Sequence, residues 1–171
     1  PRFRVAAESA AHLQHPNTVA IHDVGEHAGQ PFFSMDFVAG RSLAQWVHDG
    51  PLPARKAATY LKTIAEAVQY AHSCSVLHRD LKPSNILIDG ADQPRVTDFG
   101  LAKRLTSTQG SGLQTQDLTL TGQVLGSPSF IPPEQAAGQR DKIGPASDVY
   151  SLGAMLYHCL TARPPFMAET L

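Results

Sequence analysis

An aspartate, a lysine, an asparagine and a second aspartate stand at positions 80, 82, 85 and 98. These types at these spacings suit the movement of a phosphoryl group. The first three lie in HRDLKPSN, His78 to Asn85; the fourth opens DFG at 98–100, eighteen residues beyond Asp80. Phosphoryl transfer asks little covalent work of a protein. It asks for an in-line hydroxyl, metal ions on the phosphate oxygens, and positive charge where negative charge builds up. Either motif alone reads equally well as a loop with a cap and a turn. The two together, with the apolar ILI stretch between them, are too specific for that.

HRDLKPSN and DFG together resemble the catalytic loop and metal-binding turn of protein kinases. The resemblance implies a role for each residue. Asp80 is the base that accepts the attacking hydroxyl's hydrogen bond and then its proton. Lys82 reaches the γ-phosphate. Asn85 supplies an amide oxygen and Asp98 a carboxylate to Mg²⁺, a hard cation that is bound by few protein oxygens and by nucleotide phosphates. The lysine in LKPSN points to serine/threonine rather than tyrosine kinases. Implied cofactors are therefore ATP and Mg²⁺, and the implied partner is a protein carrying a Ser or Thr hydroxyl, with kinase–kinase pairing through the whole protein.

The elements that must position these groups follow along the chain. Residues 3–14 (FRVAAESAAHLQ) read as a helix ended by His15-Pro16, since proline removes a donor and disfavours helix before it. TVAIHDVGEH and QPFFSMDFV read as two strands around a turn at Gly29. In the family these resemble the C helix and the last two strands of the N-lobe. By that alignment Met35 is the gatekeeper and Asp36, Phe37 and Val38 form the hinge. The Asp36 carbonyl and the Val38 N–H would bond adenine, Leu87 would lie beneath it, and Lys82 and Ser84 would border the nucleotide.

Residues 40–50 resemble the short D helix. A long helix is expected from Pro53 to Ser73, with proline in its first turn and Leu61, Ile64, Ala65, Val68 and Ala71 on one apolar stripe. Ser75 stands where bacterial relatives usually place a helix-closing glycine, at a modest local cost. NILID and PRVTDFG read as a strand pair. Residues 146–161 resemble the F helix, with Val149, Leu152, Leu156, Cys159 and Leu160 expected on its buried side and Asp148 expected to cap the catalytic-loop N–H groups.

The fold class is α+β, protein-kinase-like: a mainly α-helical C-lobe (39–171) with a remnant of the β-rich N-lobe and hinge (1–38). From Asp98 to Glu134 the chain is polar and long enough to be an activation segment. GSPSFIPPEQA at 126–136 resembles that segment's usual ending, with Ser127 in place of Thr and Pro132 in place of Ala. Arg79 could pair with a phosphate on Thr106, Ser107, Thr108, Thr115, Thr119 or Thr121.

The 171 residues carry a net charge of −1 with 14 Lys and Arg spread without a block, which argues against nucleic-acid binding. No run reaches the roughly 18 apolar residues of a membrane span, and no leader pattern opens the chain. A cytoplasmic setting is the expectation. Cys74 and Cys159 are expected as buried free thiols. His12, His15, His22 and His27 match no zinc-finger spacing.

Two features depart from the family pattern. The 171 residues contain no glycine-rich loop and no VAIK-type lysine, the parts that cover and anchor the nucleotide phosphates; the chain is therefore expected to be a piece of a longer kinase. Ten residues before Pro16, where the C helix should carry its ion-pairing glutamate, stands Ala6, and the nearest acid, Glu8, is turned by about 200° on a helix. That favours a second reading, a pseudokinase or regulatory scaffold.

Overall fold

The computed structural model describes residues 13–28, 30–99 and 128–166. The helix expected at 3–14 lies outside them except for Leu13 and Gln14, which are not helical.

The first strand, β1, runs Ile21–His27 and the second, β2, Gln30–Met35. They pair antiparallel, Val24 facing Phe33 and Ile21 facing Met35, with a register shift between Ile21 and Asp23. Among the described residues this sheet has two strands, so each leaves an edge unpaired. The second sheet has the order β3 (Gly40–Ser42), β4 (Ile86–Asp89), β5 (Pro94–Val96), all antiparallel. The first three residues of the expected D helix are thus strand. Gly40 is required there, because a Cβ on it would meet the Ile88 carbonyl oxygen at 1.9 Å.

The helix itself, α1 (Leu43–His48), starts at Ser42 with a capping box: Ser42 Oγ accepts from the Gln45 N–H, and the Ser42 N–H donates to Gln45 Oε1. α2 (Ala54–Ser73) matches its expected span. Pro53 is its N-cap rather than its first turn, and its carbonyl accepts from the Ala57 N–H. The buried stripe runs through Ala57, Leu61, Ile64, Ala67, Val68 and Ala71. Ala67 replaces the expected Ala65 because Tyr60 and Ala57 widen the buried face toward that side. The helix closes into Ser75, which adopts the left-handed conformation (φ +61°) that a glycine would take without strain.

A short α3 (Pro133–Ala136) leads to α4 (Pro145–Thr161). Its buried face is Ser147, Asp148, Ser151, Ala154, Met155 and Cys159; of the expected stripe Cys159 is buried and Leu152 and Leu156 pack half-buried against the core, whereas Val149 and Leu160 turn outward. Val149 is 60% and Leu160 41% exposed. The reason is polar: Asp148 and Ser151 are drawn inward by hydrogen-bond partners described below, and they set the helix's rotation. Counting apolar residues alone therefore misplaces the face.

One core joins α1, α2, α4 and the β3–β5 sheet, with Leu43, Ile64, Leu81, Ile86, Ile88, Met155 and Val96 almost fully enclosed. The His15–Asn17 turn is docked onto it. The Val96 N–H donates to the Asn17 carbonyl (2.8 Å), the Val19 N–H to the Val96 carbonyl (2.9 Å), and Asn17 Nδ2 to the Pro94 carbonyl (2.9 Å). Cys159 is buried as expected, and burial pushes its thiol up to about 11. Cys74, expected buried, is instead exposed as the C-cap residue of α2.

The rotation of α4 is open to test by denaturation. Met155→Ala should cost about 2–5 kcal/mol, as for enclosed side chains that leave a cavity, whereas Val149→Ala should stay within about 0.5 kcal/mol. Equal losses would place α4 in the other register.

Candidate active site

The segment between α2 and β4 carries His78 to Asn85, and its backbone is anchored from α4. Asp148 is 1% exposed. Its Oδ2 accepts from the His78 N–H (2.9 Å) and its Oδ1 from the Arg79 N–H (2.8 Å). His72 Nε2 bonds Oδ2 at 2.7 Å from the last turn of α2. One carboxylate thus holds two successive loop amides and the end of a helix. The capping role foreseen for Asp148 is what the geometry displays; the His72 contact had no sequence signal, since its spacing merely continues the helix.

His78 is fully enclosed. Its Nδ1 accepts from the Asp80 N–H (3.3 Å), which leaves Nε2 to donate to the Thr97 carbonyl (3.0 Å). This pattern assigns the neutral Nε2–H tautomer. Burial holds the His78 pKa below the usual histidine value, outweighing Asp148 nearby. Phe99 stacks tilted against the ring at 4.7 Å between centroids. The imidazole therefore joins the loop carrying Asp80 to the segment carrying Asp98.

Asn85 completes that junction. Its carbonyl accepts from the Thr97 N–H (3.0 Å), and its Nδ2 donates to the Asp80 carbonyl (2.8 Å) and to Asp80 Oδ2 (3.2 Å). With its amide nitrogen so engaged, the side-chain oxygen is the atom left to accept. Lys82 Nζ lies 2.9 Å from Asp80 Oδ2. Arg79 and Asp98 adopt φ of +67° and +63°, strained conformations for residues with a Cβ that persist only where the surroundings over-determine them.

The structure brings Asp80, Lys82 and Asn85 together directly and ties Asp98 to them through Thr97. Met35 joins the same region, its Sδ 3.7 Å from Thr97 Oγ1. Asp36, Val38 and Leu87 lie on other stretches. The Asp36 N–H bonds the Ala20 carbonyl (2.9 Å) and its carboxylate bonds His22 (2.6 Å). Phe37 is 92% exposed, Val38 is half-buried between β2 and β3, and Leu87 pairs with Ser42 and Arg95 in the middle strand. Ser84 borders a cavity beside Lys82. Position 6 and the activation-segment hydroxyls at 106, 107, 108, 115, 119, 121 and 127 lie outside the described residues.

A pair of oxygen donors, one amide and one carboxylate, fits a magnesium ion whose remaining positions are filled by phosphates and water. Among the described residues there is no cluster of three or more His, Cys, Asp or Glu able to hold a metal by itself.

The protein kinase domain model matches residues 4–171. The chain belongs to the protein kinase domain family. It is 38% identical over 99% of its length to the serine/threonine-protein kinase PknB of Mycobacterium leprae, and 41% identical over 99% to PrkC of Bacillus subtilis. It spans 26% and 25% of those proteins' lengths. Among solved structures, the Mycobacterium tuberculosis PknI kinase domain superposes with a TM-score of 0.76 at 28% identity, over 99% of this chain and 59% of that one. The α+β protein-kinase-like fold and the bacterial serine/threonine kinase kinship are thereby shown. No helix among the described residues is long and apolar enough to cross a membrane.

Two outcomes test this geometry. Asp148→Ala, which strands the His78 and Arg79 N–H groups and His72 in the interior, should cost about 3–5 kcal/mol in a denaturation midpoint series; a loss below 1 kcal/mol, in the range of a surface change, would contradict the anchor. The His78 ring should show no NMR titration midpoint at or above about 6.5. The folded state refuses a proton that the unfolded chain accepts, so His78 contributes stability above about pH 6.5 that is lost as the pH falls further.

Proposed function

We propose that this chain is the catalytic part of a serine/threonine protein kinase that transfers the γ-phosphoryl group of ATP to Ser or Thr hydroxyls of protein substrates. The observation that carries the reading is the hydrogen-bonded cluster of Asp80, Lys82, Asn85 and Thr97–Asp98. Mg-ATP, when bound, supplies the phosphoryl group and the metal's positive charge. Asn85 Oδ1 and the Asp98 carboxylate are the groups that would hold the metal. Met35, Asp36, Val38, Leu87, Lys82 and Ser84 would border the nucleotide, residues 1–38 serving as N-lobe remnant and hinge above a C-lobe from 39 on.

Within that frame Asp80 orients the substrate hydroxyl and takes its proton. Asn85, by donating to the Asp80 carbonyl and carboxylate, fixes the base's rotamer. Lys82 begins paired with Asp80 and is placed to stabilise charge that develops on the transferred group. His78, neutral and enclosed, keeps Asp80 and Asp98 in one frame without exchanging protons itself.

A scaffold reading is favoured by one sequence observation, Ala6 in place of the C-helix glutamate. It would be preferred if the protein bearing this chain bound a partner yet transferred no phosphate even with Ala6→Glu.

The 171-residue chain, which has neither glycine-rich loop nor VAIK-type lysine, should give no appreciable transfer by itself but should bind nucleotide weakly in a Mg²⁺-dependent way in isothermal titration, lost on Asp98→Ala. In a longer protein that includes those parts, Asp80→Ala should lower the turnover of a Ser/Thr peptide by about a hundredfold to ten-thousandfold. Metal-independent binding, or full turnover without Asp80, would defeat the proposal.

A further inference from the structure

Thr97 is bonded to both residues that would hold the metal. Its N–H donates to the Asn85 carbonyl (3.0 Å), and its own carbonyl accepts from His78 Nε2 (3.0 Å). It follows directly on β5 and is 5% exposed. A hydroxyl that deep must find an acceptor or destabilise the fold. Two lie within reach of Thr97 Oγ1: Asp98 Oδ1 at 3.4 Å and Met35 Sδ at 3.7 Å. The hydroxyl has one hydrogen to give. A thioether is a weak acceptor and a carboxylate a strong one, so the hydrogen goes to Asp98.

The donor is held firmly, and the acceptor needs a guide. Two heavy atoms on the threonine Cβ restrict χ1, and the backbone at 97 is tied on both sides. The place of Oγ1 therefore follows from the same bonds that hold Asn85 and His78. The χ2 torsion of an aspartate is broad rather than staggered, so the plane of the Asp98 carboxylate is set by what it bonds.

We propose that Thr97 is a positioning residue of the metal site, its hydroxyl orienting the Asp98 carboxylate for the divalent cation that accompanies the nucleotide. The inference rests on the phosphoryl-transfer reading, which takes Asp98 as a ligand of that cation, and deepens it. One residue then sets both oxygen donors: Asn85 through the Thr97 N–H, Asp98 through the Thr97 hydroxyl. Magnesium tolerates little departure from octahedral geometry, so a cation held by one amide and one carboxylate depends on how those two are placed. Groups that orient a metal ligand from behind are typically worth about tenfold to a hundredfold in metal affinity. At 3.4 Å the bond is long for a hydroxyl donor, which puts the effect of Thr97 at the lower end, about tenfold.

Isothermal titration of the 171-residue chain with ATP, in the presence and absence of Mg²⁺, gives the factor by which the cation tightens nucleotide binding. Thr97→Val keeps the shape without the hydroxyl, Thr97→Ala removes the hydroxyl and the branch, and Thr97→Ser keeps the hydroxyl. The Val and Ala variants should lower the Mg²⁺ factor about tenfold, or abolish it where the native factor is smaller. Their Mg²⁺-free affinities should stay within about twofold of native, and Thr97→Ser should hold the factor within about threefold. An unchanged factor in either hydroxyl-free variant, an equal loss with and without Mg²⁺, or a loss that Thr97→Ser shares in full would each overturn the role of the hydroxyl. A native chain whose ATP binding ignores Mg²⁺ would instead remove the metal role of Asp98 itself, and this inference with it. The native titration alone therefore tells the two failures apart.

Discussion

A single buried carboxylate holds the site in shape. Asp148 accepts from two consecutive backbone amides of the loop and from His72. A charge that deep is stable only when its lone pairs are filled, and removing either side leaves the other stranded. The arrangement therefore couples three elements at once: the start of α4, the end of α2, and the loop from His78. It also fixes α4's rotation. Ser151, one turn below on the same face, donates to the Phe130 carbonyl, so the helix presents polar anchors inward although Val149 and Leu160 would be better buried by hydropathy alone.

From that anchor the order passes outward through hydrogen bonds rather than through apolar packing. Asp148 holds His78 and Arg79; His78 holds the Thr97 carbonyl; Asn85 holds Thr97 from the other side and Asp80 from below. Arg79, Asp98 and Ser75 are all left-handed without being glycine, each at a cost of about 1–2 kcal/mol. Two of these three flank the reacting groups. The strain is tolerable because both neighbours of each strained residue are tied down, and it aims Asp80 and Asp98 from a backbone that an unstrained loop would not provide.

Much of this was legible in the residues. HRDLKPSN and DFG named the loop and the turn, helical periodicity gave α2 nearly to the residue, and the β1–β2 and β4–β5 segments read as strand pairs. What could not be read was set by partners distant in sequence. Gly40–Ser42 looked like the start of a helix, yet pairing with β4 made it a strand. Val149 and Leu160 were placed inward by apolar count, whereas the helix turned to satisfy Asp148 and Ser151. Cys74 looked like a core residue because it continues α2's pattern, but it stands exposed as that helix's C-cap. His72, His78 and Thr97 carried no signal of their own, since their importance lies in which backbone groups they happen to meet.

The central claim is that the catalytic loop is held by the Asp148 carboxylate as firmly as the core itself. Native-state hydrogen exchange of the His78 and Arg79 amides measures this directly. If the account holds, both exchange only through global unfolding, with protection matching Ile64 and Val68 in the middle of α2. Protection at the level of exposed turns, such as the amides around Ala91, would mean that the loop opens on its own and that Asp148 does not organise the site.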